Sequence, residues 1–171
     1  MRYSTLILPA VTIALTSALP TDPTNFFLVT TTQLDPSANS SQLKAVSATS
    51  LFDPFKQPAL VLRLEQPGYN SLPNFTLSSG TLSTNAQGPF GSTRYIYNST
   101  MVTAGSELQF LASMQSKGNM ALGQGYLLTV DGEREGWTVC EGDLREDVLF
   151  WKGKGESCVG TYLHAVRKPP Y

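Results

Sequence analysis

His164 is the only histidine in the chain, and that alone narrows the chemistry. A two-histidine nuclease centre cannot be built, and a copper or zinc site normally draws on several histidines or a cysteine cluster. A Ser-His-Asp triad is arithmetically open, but no Gly-x-Ser-x-Gly elbow presents a nucleophile. The nearest string, Gly155-Glu156-Ser157-Cys158, sets Ser157 beside a cysteine expected to be oxidised. His164 shares a strand face with Tyr162 and Val166 and is read as a packing or surface residue rather than a catalytic one. The remaining reactive groups are carboxylates. Asp131, Glu133, Glu135, Glu141, Asp143, Glu146, Asp147 and Glu156 crowd one segment. A glycoside hydrolase needs two facing carboxylates, about 5–5.5 Å apart to retain configuration, and Glu141 with Asp143, or Asp131 with Glu133, has the right composition. Arg134, Arg145, Lys152 and Lys154 are interleaved with them, which favours solvated turns over a reactive pair. The spacing of an EF-hand calcium loop is missing. No cofactor or metal is expected.

Cys140 and Cys158 are the only cysteines. An isolated pair in an oxidising compartment is most simply one disulfide, worth about 3 kcal/mol for so short a loop. That compartment is read from the N-terminus. Arg2 precedes an apolar run from Leu6 to Leu15, and Thr16 and Ala18 hold the −3 and −1 positions of a cleavage site. Residues 1–18 are therefore expected to be a secretory signal peptide, too short to span a bilayer, with 19–171 as a single secreted domain. Three glycosylation sequons follow, at Asn39-Ser40-Ser41, Asn74-Phe75-Thr76 and Asn98-Ser99-Thr100, and predict a glycoprotein with each asparagine on the surface. The polar terminus Arg167-Lys168-Pro169-Pro170-Tyr171 gives no GPI signal, so no membrane anchor is expected. Without residues 1–18 the chain carries a net charge of −2, Arg2 being the one charged residue removed from a total of −1. There is no basic stripe, so nucleic acid is not an expected partner.

The elements that must position these groups are strands. β-branched and aromatic runs recur between Gly, Pro, Asn and Ser clusters, and helical periodicity is almost absent. Strands are predicted at Phe26 to Thr31, Leu60 to Leu64, Phe75 to Leu77, Arg94 to Tyr97 and Leu108 to Leu111. Others are predicted at Tyr126 to Val130, Trp137 to Cys140, Val148 to Trp151 and Thr161 to Val166. Ser37 to Ser50 reads as a long loop and Gln66 to Pro73 as a second. Phe75 to Leu82 is echoed by Trp137 to Leu144, each reading aromatic, Thr, aliphatic, then Gly and Leu, the pattern of a hairpin. The fold expected is all-β, a single compact β-sandwich or β-barrel, with a β-trefoil as the alternative if the echo is a repeat. Phe75, Phe110 and Trp137 are assigned to the core. Tyr95 and Tyr97 are two apart, hence on one sheet face, and Tyr69 and Trp151 lie next to polar turns; these four are candidate glycan-stacking rings, core packing being the competing assignment.

The segment Gly136-Trp137-Thr138-Val139-Cys140, then Asp143-Leu144, Leu149-Phe150-Trp151, Cys158 and Thr161-Tyr162-Leu163-His164-Ala165-Val166, resembles small secreted fungal cell-wall proteins of the PhiA type and related IgE-binding antigens. The resemblance covers the C-terminal part, and the chain departs from it in having two cysteines rather than more. It implies an extracellular or wall-associated protein without enzymatic activity and supplies no catalytic residues. The leading expectation is thus a non-catalytic secreted glycoprotein of the cell wall or its surroundings, with wall polysaccharide or another extracellular protein as partner. A glycan-binding module using exposed aromatics is the alternative, and a small secreted hydrolase with paired carboxylates is the third. An effector acting on a host protein is also compatible with the sequence.

Overall fold

The alternation Leu60, Leu62, Leu64 points three leucines to one side of a strand, and that strand is the hub of the fold. The computed structural model describes residues 24–34, 43–49, 59–66, 68, 72–88, 93–142 and 145–170. Its elements are β1 (Phe27–Thr31), β2 (Lys44–Thr49), β3 (Ala59–Glu65), β4 (Phe75–Ser78), β5 (Thr81–Gln87), β6 (Arg94–Ser99), β7 (Ser106–Glu107) and β8 (Gln109–Leu111). They continue as β9 (Met120–Leu122), β10 (Leu128–Val130), β11 (Trp137–Glu141), β12 (Asp147–Trp151), β13 (Val159–Gly160) and β14 (Tyr162–Val166). One edge of β3 pairs with β2, while β8 and β12 share its other edge. From β8 the sheet runs through β6 and β5 to β4, from β12 through β11 to β13, and from β2 through β1 to β14. All these pairings are antiparallel, and the sheet curls into a half-barrel. Phe26 and Phe75 exchange both backbone hydrogen bonds, 3.1 and 2.7 Å, bringing the start of β1 against β4. The fold is therefore all-β, as the strand pattern requires: a large curled sheet and a separate antiparallel β9–β10 hairpin are seen rather than a threefold trefoil.

The core fills the concave side. Leu28, Val46, Leu60, Leu62, Leu64, Phe75, Leu82, Tyr97, Phe110, Trp137, Leu149, Trp151 and Leu163 belong to one buried cluster. Val61, Val148 and Phe150 form a smaller patch on the convex side. Leu108 carries the chain from β12 to β3: its N–H donates to the Leu149 carbonyl, and its own carbonyl accepts from Leu62, each at 3.3 Å. β8 matches the run expected over Leu108 to Leu111, and a second short strand, β7, precedes it across the buried Leu108.

The loop expected over Ser37 to Ser50 is partly a strand. β2 lies between β1 and β3, pairing Val29 with Ala45 and Val46 with Leu64. Its sequence, Lys-Ala-Val-Ser-Ala-Thr, has little intrinsic strand preference, and small buried side chains let it fit between two wider neighbours. The two halves of the hairpin echo also differ. β4 and β5 meet in a two-residue turn, Ser79-Gly80, with φ of +49° and +79°, a conformation glycine favours at the second position. In the second copy Glu141 stands opposite Asp147, so the connection is wider and Leu144 lies outside the described residues.

Candidate functional site

Strand alternation assembles a cleft at one open end of the half-barrel. Leu149 and Trp151 face the core, so Asp147 shares their side of β12. By the same rule Lys44 shares the side of Val46 on β2, and Thr30 that of Leu28 on β1. These residues, with Leu64 of β3, Val139 of β11, and Ser157, Val159 and Thr161 around β13, line a space of about 300 Å³. Its floor is aliphatic, from Leu64 and Val139. Its rim carries hydroxyls and two opposite charges, Lys44 and Asp147, neither of which forms an ion pair among the described residues. Such a mouth is sized for a small amphipathic molecule. No aromatic ring is among its described lining residues, so flat stacking on a sugar face has no platform there.

The disulfide has the pairing expected. Cys140 and Cys158 are bonded with Cα atoms 4.1 Å apart. β11 is the central strand, flanked by β12 on one edge and by β13 on the other, and the bridge extends the β11–β13 pairing by one step. Thr138 braces the same corner, its hydroxyl accepting from the Gly153 N–H at 3.1 Å.

The described candidate stacking rings do not form a surface. Tyr97 and Trp151 are buried, at 2% and 4% exposure, and belong to the core cluster; they are core residues and not glycan platforms. Tyr95 is 44% exposed, and Tyr69 lies outside the described residues. Tyr95 and Tyr97 do share one sheet face, but the core ends between them. The ring of Tyr95 lies over Gly88, where a Cβ would come within 2.3 Å of it. Burial first, and then Tyr95, hold the Tyr97 phenol above its ordinary value. A raised folded value means the folded state holds this proton more tightly. The resulting stability is complete below the unfolded value of about 10 and is lost as pH rises through the folded one. Tyr97→Phe should therefore flatten the decline of the urea midpoint above about pH 10. An equal decline in both proteins would count against it.

The carboxylates are dispersed. Asp131, Glu133 and Glu135 are exposed on the β10–β11 turn, Glu141 and Asp147 face one another across β11 and β12, and Glu156 is exposed after β12. Asp131 accepts from the Asn119 amide at 3.0 Å, Glu133 pairs with Lys152, and Glu146 binds Arg63 at 3.2 Å. Among the described residues no group of three acidic, histidine or cysteine side chains could hold a metal ion. Of the two candidate pairs, Asp131 and Glu133 are both exposed on one turn, and Glu141 with Asp143 falls partly outside the described residues. His164 is buried, as a packing residue should be, with Nε2 3.4 Å from the Gln33 carbonyl oxygen. Among the described residues its Nδ1 has no hydrogen-bond partner.

Of the sequons, Asn74 is exposed just before β4, and Asn98 is half-buried on β6. The Asn98 carbonyl oxygen accepts from the Ser83 hydroxyl at 2.8 Å, and its amide donates to the Ser113 carbonyl at 3.1 Å. Asn39 and the segment expected to be a signal peptide lie outside the described residues. Among those described, no helix is long and apolar enough to cross a membrane. The cleft carries no signal in the sequence, because Lys44 sits on β2, whose residues have no strong strand pattern. The chain matches no family model, no curated protein and no solved structure.

Proposed function

We propose that this chain is a non-catalytic extracellular glycoprotein of the cell wall or its surroundings. The observation carrying it is the Cys140–Cys158 bond, since disulfides persist in oxidising compartments and are rare in the cytosol. The N-terminal apolar run, the sequons and the resemblance of the C-terminal part to secreted fungal wall proteins support the same reading. The dispersed carboxylates favour it over a paired-carboxylate hydrolase. The stacking version of glycan binding is left with Tyr95 alone among the described candidates, which makes it the weaker alternative.

The test is expression of the full chain in a secreting, glycosylating host. Material from the medium or wall fraction should begin near Leu19, lose mass on N-glycosidase treatment and show no free thiol. Reduction, or Cys140→Ser with Cys158→Ser, should lower unfolding free energy by about 2–4 kcal/mol in urea titrations while leaving a folded domain. Retention in the cytosol with two titratable thiols would overturn the extracellular reading. Turnover of a polysaccharide, peptide or ester at ordinary enzyme rates would overturn the non-catalytic one.

A further inference from the structure

A second cleft, of about 500 Å³, opens between the ends of β2 and β3 on one side and β5 and β6 on the other, and Asn74 forms part of its wall. We infer that this cleft is the seat of the chain's own N-glycan, with the sugars nearest the protein lying from Asn74 toward Arg94. The inference rests on the extracellular glycoprotein reading.

Four observations converge on it. Asn74 is exposed and heads the triplet Asn74-Phe75-Thr76. Its backbone is fixed, because its carbonyl accepts from the Thr84 hydroxyl at 2.9 Å and the next residue, Phe75, is buried in the core. A sugar attached there therefore leaves from a defined position. The cleft wall is polar on the side facing that position. Arg94 reaches Asn85 through two long contacts, Nε to Oδ1 and Nη2 to the backbone oxygen, both 3.4 Å, close to the limit for a hydrogen bond. A loosely held guanidinium, with Arg63 and Ser47 also in the wall, suits a polyhydroxylated occupant better than an apolar one. Lastly, tethering removes the need for high affinity: a ligand attached at the rim has an effective concentration in the millimolar range or above. Asn98 supplies the contrast, since its side chain already links Ser83 to Ser113.

Attachment is an ordinary substitution. The Asn74 Nδ2 bonds to the anomeric carbon of the first N-acetylglucosamine as that carbon's bond to the phosphate oxygen of a lipid-diphosphate-linked oligosaccharide donor breaks; the lipid diphosphate departs with the bonding electrons, and the proton released from nitrogen goes to solvent.

The test compares full-chain secreted protein in three forms: intact glycan, glycan trimmed to the first sugar, and glycan removed. Glycopeptide mass spectrometry first reads occupancy at Asn74; an empty Asn74 overturns both the sequon and the inference. With Asn74 occupied, amide exchange at Asn85, Ala86, Gln87 and Arg94 should be at least about threefold slower in the intact form than after removal. The melting temperature should fall by about 2–4 °C on removal. Arg94→Ala should abolish most of that difference, measured against the same variant without glycan. Equal exchange in intact and glycan-free protein, with Asn74 occupied, would overturn the inference and leave the glycoprotein reading standing.

Discussion

Trp137→Ala is expected to lower unfolding free energy by about 3–5 kcal/mol, the largest effect of any single substitution considered for this domain. Trp137 is 1% exposed and pairs directly with Trp151 across β11 and β12, their rings edge to face with centroids 5.2 Å apart. Its indole N–H donates to the Leu128 carbonyl at 2.9 Å, so one side chain joins the main sheet to the β9–β10 hairpin. Truncation leaves a large void beside Trp151 and takes the donor away from Leu128. Trp137→Phe separates the two effects, since it keeps most of the ring and loses the hydrogen bond; about 1–3 kcal/mol is expected. Urea unfolding followed by circular dichroism, with Trp151 as the remaining tryptophan reporter, measures both. A loss below about 1 kcal/mol for Trp137→Ala would mean that the hairpin is not anchored this way.

The second large effect comes from two glycines whose backbones touch. A Cβ on Gly118 would lie 2.0 Å from the Gly80 carbonyl oxygen, and one on Gly80 would lie 2.3 Å from the Gly118 oxygen. The contact docks the segment before β9 on the β4–β5 turn. The Gly118 N–H donates to the Thr81 hydroxyl at 3.1 Å, and Met120 N–H donates to the Gly80 carbonyl at 3.1 Å. Both obstacles are backbone atoms, so no rotamer change relieves them. Gly118→Ala should cost about 1–3 kcal/mol through the clash, lowering the melting temperature by about 2–4 °C per kcal/mol. Gly80→Ala should cost more, because its φ of +79° strains any residue with a Cβ. Once either alanine has separated the two segments, the other meets less resistance, so the double variant should lose less than the sum. Strict additivity would show that the segments are not held by this contact. Faster amide exchange at Met120 in each single variant is the accompanying local readout.

Much of the fold was legible where residues speak for themselves. The leucines of β3 alternate, and Phe75 with Leu77 and Trp137 with Val139 mark inward faces, because large apolar side chains at period two have one way to be buried. The Ser79-Gly80 turn was legible from its glycine. β2 was not, since alanine and serine carry no strong strand signal and only the gap between β1 and β3 makes an extended conformation favourable. Nor was the break at Leu108, where the chain changes partner strands without changing its local pattern.

The sites divide along the same line. Two cysteines in a chain with a secretory N-terminal pattern could be paired on the sequence alone, because no other partner existed for either. Which rings reach solvent could not, because Tyr95 and Tyr97 share a face and differ only in how far the core extends along β6. Likewise Lys44, Asp147, Leu64 and Val139 are scattered through more than a hundred residues, and the curl of the sheet alone sets them around one cleft. Local sequence determined the strands with strong apolar or aromatic alternation, the faces of their side chains and the covalent bridge, all consequences of residue type. The tertiary structure decided exposure and proximity, because these depend on where a curled sheet ends and on which strands its long-range pairing makes neighbours.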